Sequence, residues 1–124
     1  MKILVAFGTR PEYIKLSPLM KTFSDSGIPY ETFFTGQHLD LLPSGIQNSV
    51  SYRLEIQKFP NRLDSIVGSV MMGSEAWNDP KLSHVIIQGD TTSAFAVALA
   101  AFHRKIKVIH LEAGLRTQNK YDPY

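Results

Sequence analysis

Cysteine is absent from the 124 residues, which excludes disulfides, thiolate metal sites and cysteine nucleophiles. Neither sign of charge dominates. Thirteen basic residues against eleven acidic ones leave a formal net charge of +2, too weak and too scattered to recruit nucleic acid or an anionic membrane. Long hydrophobic runs are missing as well. The apolar opening MKILVAFGTR stops at Gly8, too short for a signal-peptide core with its cleavage site and far too short to span a bilayer. A cytoplasmic protein is the default expectation. What remains is an ordinary globular mixture, 44% hydrophobic and 19% charged, of a length that suits one domain and not two.

Apolar residues alternate between two kinds of pattern. Ile3 to Phe7 form a continuous run, as in a strand covered on both faces. Pro11 then sits where a first helical turn tolerates proline. Ile14, Leu16, Leu19, Met20 and Phe23 recur at helical spacing until Gly27 stops the helix. Tyr30 to Phe34 predict a second strand and Tyr52 to Ile56 a short third one; Pro43 to Ser51, rich in turn formers, has no clear pattern. Leu63, Ile66, Val67, Val70 and Met71 form an apolar helical stripe, most simply core, that ends before Asn78-Asp79-Pro80. Val85 to Ile87 give the clearest interior strand. From Thr92 to Arg104 an alanine-rich helix follows, capped by Thr91 or Thr92, with Phe95, Leu99 and Phe102 spaced as one buried face. Val108 to Leu111 form the fifth strand. This alternation implies right-handed crossovers and an α/β fold: a Rossmann-like parallel sheet with helices on both faces. A fifth parallel strand normally leads into another helix, so a chain closing in a polar loop at Tyr124 reads as a fragment.

Ligands of such sheets bind at the carboxyl ends of the strands. Four of the five expected strand exits pair glycine with charged or hydrogen-bonding residues: Gly8-Thr9-Arg10-Pro11-Glu12, Thr35-Gly36-Gln37-His38, Gly89-Asp90-Thr91-Thr92 and Glu112-Ala113-Gly114-Leu115-Arg116-Thr117. Glycines and helix N-termini suit anions, and Arg10 and Arg116 add fixed charge for phosphate oxygens. Asp90 and Glu112 supply two carboxylates on neighbouring loops for acid–base work. The expected ligand is phosphorylated and lies beside an acid–base pair.

Each of these residues also has an ordinary structural reading. Asp90 could help cap the helix, Glu112 could be a solvated loop carboxylate, and Arg10 could pair with Glu12 on the surface. His110, within the fifth strand, reads as a hydrogen-bonded core histidine; His84 and His103 read as surface residues. Familiar motifs fail: no second glycine precedes Lys15 as a P-loop needs, and Arg10-Pro11 stand where a dinucleotide fingerprint needs glycine. No paired histidine spacing marks a metal site, so no metal is expected.

Four segments resemble, in order, landmarks of the non-hydrolysing UDP-N-acetylglucosamine 2-epimerases: GTRPEYIKLSPL (Gly8 to Leu19), FTGQH (Phe34 to His38), QGDTTSAFAVALAAF (Gln88 to Phe102) and HLEAGLRT (His110 to Thr117). GTRPE with its following lysine and EAGLRT are the specific ones, and Pro11 favours the non-hydrolysing branch. The resemblance implies a two-domain fold of the glycosyltransferase-B type, of which residues 1–124 would be the N-terminal domain, with the C-terminal domain absent. It implies conversion of UDP-GlcNAc to UDP-ManNAc by elimination and re-addition of UDP, for cell-surface polysaccharide precursors, with no cofactor.

Carried over by motif, Asp90 and Glu112 become catalytic, and Arg10 and Lys15 bind the diphosphate, with Gly8, Thr9 and Arg116 beside them. Gln37 and His38 match a second UDP-GlcNAc site that serves as activator. Leu39, Asp40, Leu41 and Leu42 depart from the basic and polar residues that usually follow it. A third catalytic glutamate of the family lies in a Pro-Glu-Glu stretch beyond Tyr124, so the 124 residues alone are expected to be inactive. The implied partners are UDP-GlcNAc or a related UDP-sugar and, at full length, a second subunit in a homodimer. Two other readings keep the same rim: a non-catalytic nucleotide-sugar binding fragment of a split gene, and a glycosyltransferase of the same architecture.

Overall fold

The computed structural model describes residues 1–36, 50–54, 60–77 and 79–112. Five strands form one sheet: β1 (Lys2–Phe7), β2 (Tyr30–Phe34), β3 (Tyr52–Arg53), β4 (Leu82–Gln88) and β5 (Lys107–Leu111). The order across the sheet is β3-β2-β1-β4-β5, and every neighbouring pair is parallel. Among the described residues three α-helices connect them: α1 (Arg10–Asp25), α2 (Arg62–Gly73) and α3 (Thr92–His103). The third strand is observed over Tyr52–Arg53; Glu55 and Ile56 lie outside the described residues.

From Ile3 to Phe7, β1 is apolar because both its faces are covered. Ile3, Val5 and Phe7 pack with Leu16, Met20 and Phe23 of α1 on one side. Leu4 and Ala6 pack with Val70 of α2 and the inner face of α3 on the other. Helices therefore lie on both faces, as the alternating pattern predicts. Within α1 the buried positions are Glu12, Leu16, Met20 and Phe23, whereas Ile14 is exposed.

α3 corrects an expectation. Phe95 and Phe102 are 58% and 75% exposed, and Leu99 is half-buried. The inner face is Ala94, Ala96, Val97, Ala100 and Ala101. α3 packs against β4, β5, β1 and α2 at once, and small side chains let its backbone approach them closely. The large rings are turned outward. Leu63 is likewise 52% exposed at the start of α2, while Ile66, Val67 and Met71 join the core behind it. His110, expected in the core, is exposed on β5, an edge strand, but it is hydrogen-bonded to the Gly89 carbonyl. His84 is half-buried, its ring nitrogen meeting the Ser83 hydroxyl at 2.7 Å, and His103 is exposed.

Candidate functional site

Strand order reverses direction between β1 and β4, and at that point the loops leaving the two strands part to form a crevice. Thr9, extended in backbone, caps α1 by accepting from the Glu12 amide at 3.3 Å. Thr91 caps α3 by accepting from the Ala94 amide at 3.2 Å, which leaves Asp90 outside the cap. Gly89 takes a φ of +79°, a turn that glycine makes without steric cost, and directs the chain away from β4. The Gly89 amide still bonds to the Leu111 carbonyl at 2.9 Å. Asp90 and Glu112 thus leave adjacent strands at the same edge of the sheet, and both are exposed.

An open cavity of about 610 Å³ lies in this crevice. Its walls are Gly8 to Pro11 after β1, Phe34 to Gly36 at the end of β2, Arg62, Leu63 and Ile66 of α2, and Thr91 to Ser93 at the head of α3. Arg10 is exposed and, among the described residues, makes no ion pair. Arg62 is a second cation on the wall that sequence spacing does not flag; it follows the Asn61 cap of α2, where an arginine is ordinary. Two arginines and the starts of three helices make the cavity suitable for a phosphorylated ligand.

At the exit of β5, Lys15 and Glu112 form an ion pair of 2.9 Å, each half exposed. Glu112 adopts a φ of +55°, an unusual conformation for a residue with a side chain and one that costs of order 1–2 kcal/mol. Strain of this kind clusters at functional sites. Gly8, Thr9 and Arg10 thus line one wall of the cavity, Lys15 is bonded to Glu112, and Asp90 lies on the neighbouring strand exit, outside the cavity lining. Gln37, His38 and Arg116 lie outside the described residues. No cluster of three potential metal ligands occurs among the described residues, and none of their helices is long and apolar enough to cross a membrane.

Glu12 overturns a second expectation. It is not a surface partner of Arg10 but is 6% exposed. It accepts from the Gly8 and Thr9 amides and from the Thr91 hydroxyl. Its place in a capping box was legible from Thr9 and Glu12 three residues apart; its bond to Thr91 was not.

A five-stranded parallel sheet in the order 3-2-1-4-5, with helices on both faces and an open crevice at the reversal point, defines a Rossmann-like α/β domain. The chain belongs to the UDP-N-acetylglucosamine 2-epimerase family, whose model matches residues 21–124. It is 41% identical to the UDP-N-acetylglucosamine 2-epimerase of Campylobacter jejuni over 99% of its own length and 33% of that protein's. Among solved structures it superposes on the UDP-GlcNAc 2-epimerase of Neisseria meningitidis bound to UDP-GlcNAc. There the TM-score is 0.88 at 38% identity, over 100% of this chain and 35% of that one. The Methanocaldococcus jannaschii enzyme in complex with UDP-GlcNAc and UDP gives a TM-score of 0.83 at 32% identity, over 98% and 35%. The chain spans about a third of the length of the curated relatives it matches.

Proposed function

We propose that these residues form the N-terminal, Rossmann-like part of a UDP-GlcNAc 2-epimerase and supply one wall of a cleft whose other wall belongs to a second domain, in a glycosyltransferase-B-type arrangement. The observation that supports this reading is the open cavity walled by Arg10 at the carboxyl edge of the sheet, the edge from which Asp90 and the Lys15-paired Glu112 also leave β4 and β5. In this reading Arg10, Lys15 and Arg116 hold the diphosphate, with Gly8 and Thr9 shaping the loop beside it. Asp90 and Glu112 divide the proton work. One accepts the C2 proton as the C1–oxygen bond breaks; UDP departs with the bonding pair and 2-acetamidoglucal remains. UDP then adds back at C1 while C2 is protonated from the opposite face, which gives UDP-ManNAc.

Gln37 and His38 belong, in this proposal, to a second UDP-sugar site. The working protein is a cytoplasmic homodimer that makes precursors of surface polysaccharide. The 124 residues by themselves are expected to turn over no UDP-GlcNAc, since the second wall is needed.

The test is a chimera carrying these residues in place of the matching third of the Campylobacter relative. It is expected to epimerise UDP-GlcNAc, with Asp90→Asn or Glu112→Gln each lowering kcat about 10²-fold or more. Undiminished rates in both variants would remove them from the chemistry. Titration of the 124-residue chain with UDP-GlcNAc, followed by amide resonances of Arg10, Thr92 and Glu112, tests the same site without turnover. No movement at any of them would overturn the reading for this chain.

A further inference from the structure

Glu12 is the one charged side chain among the described residues that is buried. In dinucleotide-binding sheets the amides at the start of the first helix receive a phosphate. Here the Gly8 and Thr9 amides donate instead to Glu12 Oε2, at 2.5 and 3.2 Å. Oε1 accepts from the Thr91 hydroxyl at 3.0 Å, across 79 residues of chain, and that hydroxyl oxygen accepts from the Ala94 amide. One carboxylate thus joins the N-termini of α1 and α3, and with them the exits of β1 and β4 on the two sides of the reversal point.

We propose that Glu12 is a resident anion. As a positioning residue it fills the phosphate seat at the head of α1 and ties that seat to the cap of α3. This fixes the start of α1 at Arg10 against the loop that carries Asp90. It also denies the Gly8 and Thr9 amides to any bound ligand, so an incoming diphosphate meets the Arg10 side chain and the first amides of α3, Thr92 and Ser93. A phosphate placed on Gly8 and Thr9 would confront the carboxylate that already holds them, with like charges at short range in a partly desolvated site. The assignment of the diphosphate rests on the UDP-sugar reading; the clamp itself does not.

Nuclear magnetic resonance on the 124-residue chain separates the two. In the unaltered chain, tens of millimolar inorganic phosphate is expected to leave the Gly8 and Thr9 amide resonances in place, while UDP moves those of Thr92 and Ser93. Glu12→Ala should accelerate amide exchange at Gly8 and Ala94 by about tenfold or more and make Gly8 and Thr9 phosphate-sensitive, which loss of packing alone would not do. Should that variant not fold, Glu12→Gln serves. Its amide oxygen still receives Gly8 while its NH2 group faces Thr91, so the Gly8 amide proton should shift upfield and the Thr91–Ala94 signals should move. Movement of Gly8 and Thr9 by phosphate or UDP in the unaltered chain would overturn the proposal, as would a Gln variant indistinguishable from it at Gly8, Thr9 and Ala94. If UDP moves no resonance anywhere, the UDP-sugar reading falls, and the phosphate and exchange results still decide the clamp.

Discussion

Gly36 and Gly8 meet where the exits of β2 and β1 come closest. A methyl group on Gly36 would collide with the Gly8 carbonyl and the Phe34 ring, and a backbone carbonyl has little freedom to retreat. Gly36→Ala is therefore expected to lower stability by about 1–3 kcal/mol, read as a reduced urea midpoint with an unchanged slope. An unaltered midpoint would show that the loops are not packed as described. Each glycine was visible in the sequence at a strand exit, but their mutual contact was not, because it depends on which strands are neighbours. Glu112 is similar. Its residue type and position on the fifth exit were legible, whereas its left-handed backbone and its bond to Lys15, 97 residues away, came only with folding.

Helix α3 shows how pattern and packing can disagree. Phe95, Leu99 and Phe102 have the spacing of a buried stripe, and large apolar residues are the ordinary guide to a helix's inner face. The alanines occupy that face instead, since α3 lies close to both the sheet and α2. Two variants distinguish the faces. Ala100→Leu, at a position with no exposure, should overpack the contact and cost about 1–3 kcal/mol. Phe102→Ser should change the stability of this chain by no more than about 0.5 kcal/mol. Chemical denaturation of both proteins checks the assignment, and the opposite order of effects would restore the phenylalanine face. The inner positions were readable only as good helix formers, because closeness between elements leaves no mark on local periodicity.

At the scale of the whole molecule, the end of the sheet opposite the crevice is held by charge. Lys2 bonds to Asp79 at 2.6 Å and to Glu31 at 3.0 Å, joining β1 to β2 and to the turn before β4. The Lys2 ammonium, followed by the Lys81 amide, holds the Asp79 carboxyl below its usual range, and the same pairing raises Lys2. The nearby Glu31 carboxylate, and then burial, push the Tyr52 hydroxyl up to about 12. The signs differ. The Asp79 contribution is present at neutral pH and lost as pH falls through its lowered folded value. The Tyr52 contribution is present below its ordinary value near 10 and lost as pH rises from there to about 12. The thermal midpoint, followed by circular dichroism, should therefore fall on both sides of a neutral plateau. Tyr52→Phe should reduce the alkaline fall and leave the acid limb; an alkaline limb unchanged by the substitution would place its origin elsewhere.

The sequence by itself determined the elements and the inventory of the rim. Continuous apolar runs, helical periodicity and glycine at the strand ends are local properties, and they put Arg10, Asp90 and Glu112 just past strand ends at one edge of a parallel sheet. Tertiary structure alone decided the order of the strands, the alanine face of α3, the cation at Arg62 beside the cavity and the burial of Glu12. Those features arise from contacts between residues far apart in the chain, where the energy of a bond or a close approach depends on neighbours that no local pattern names.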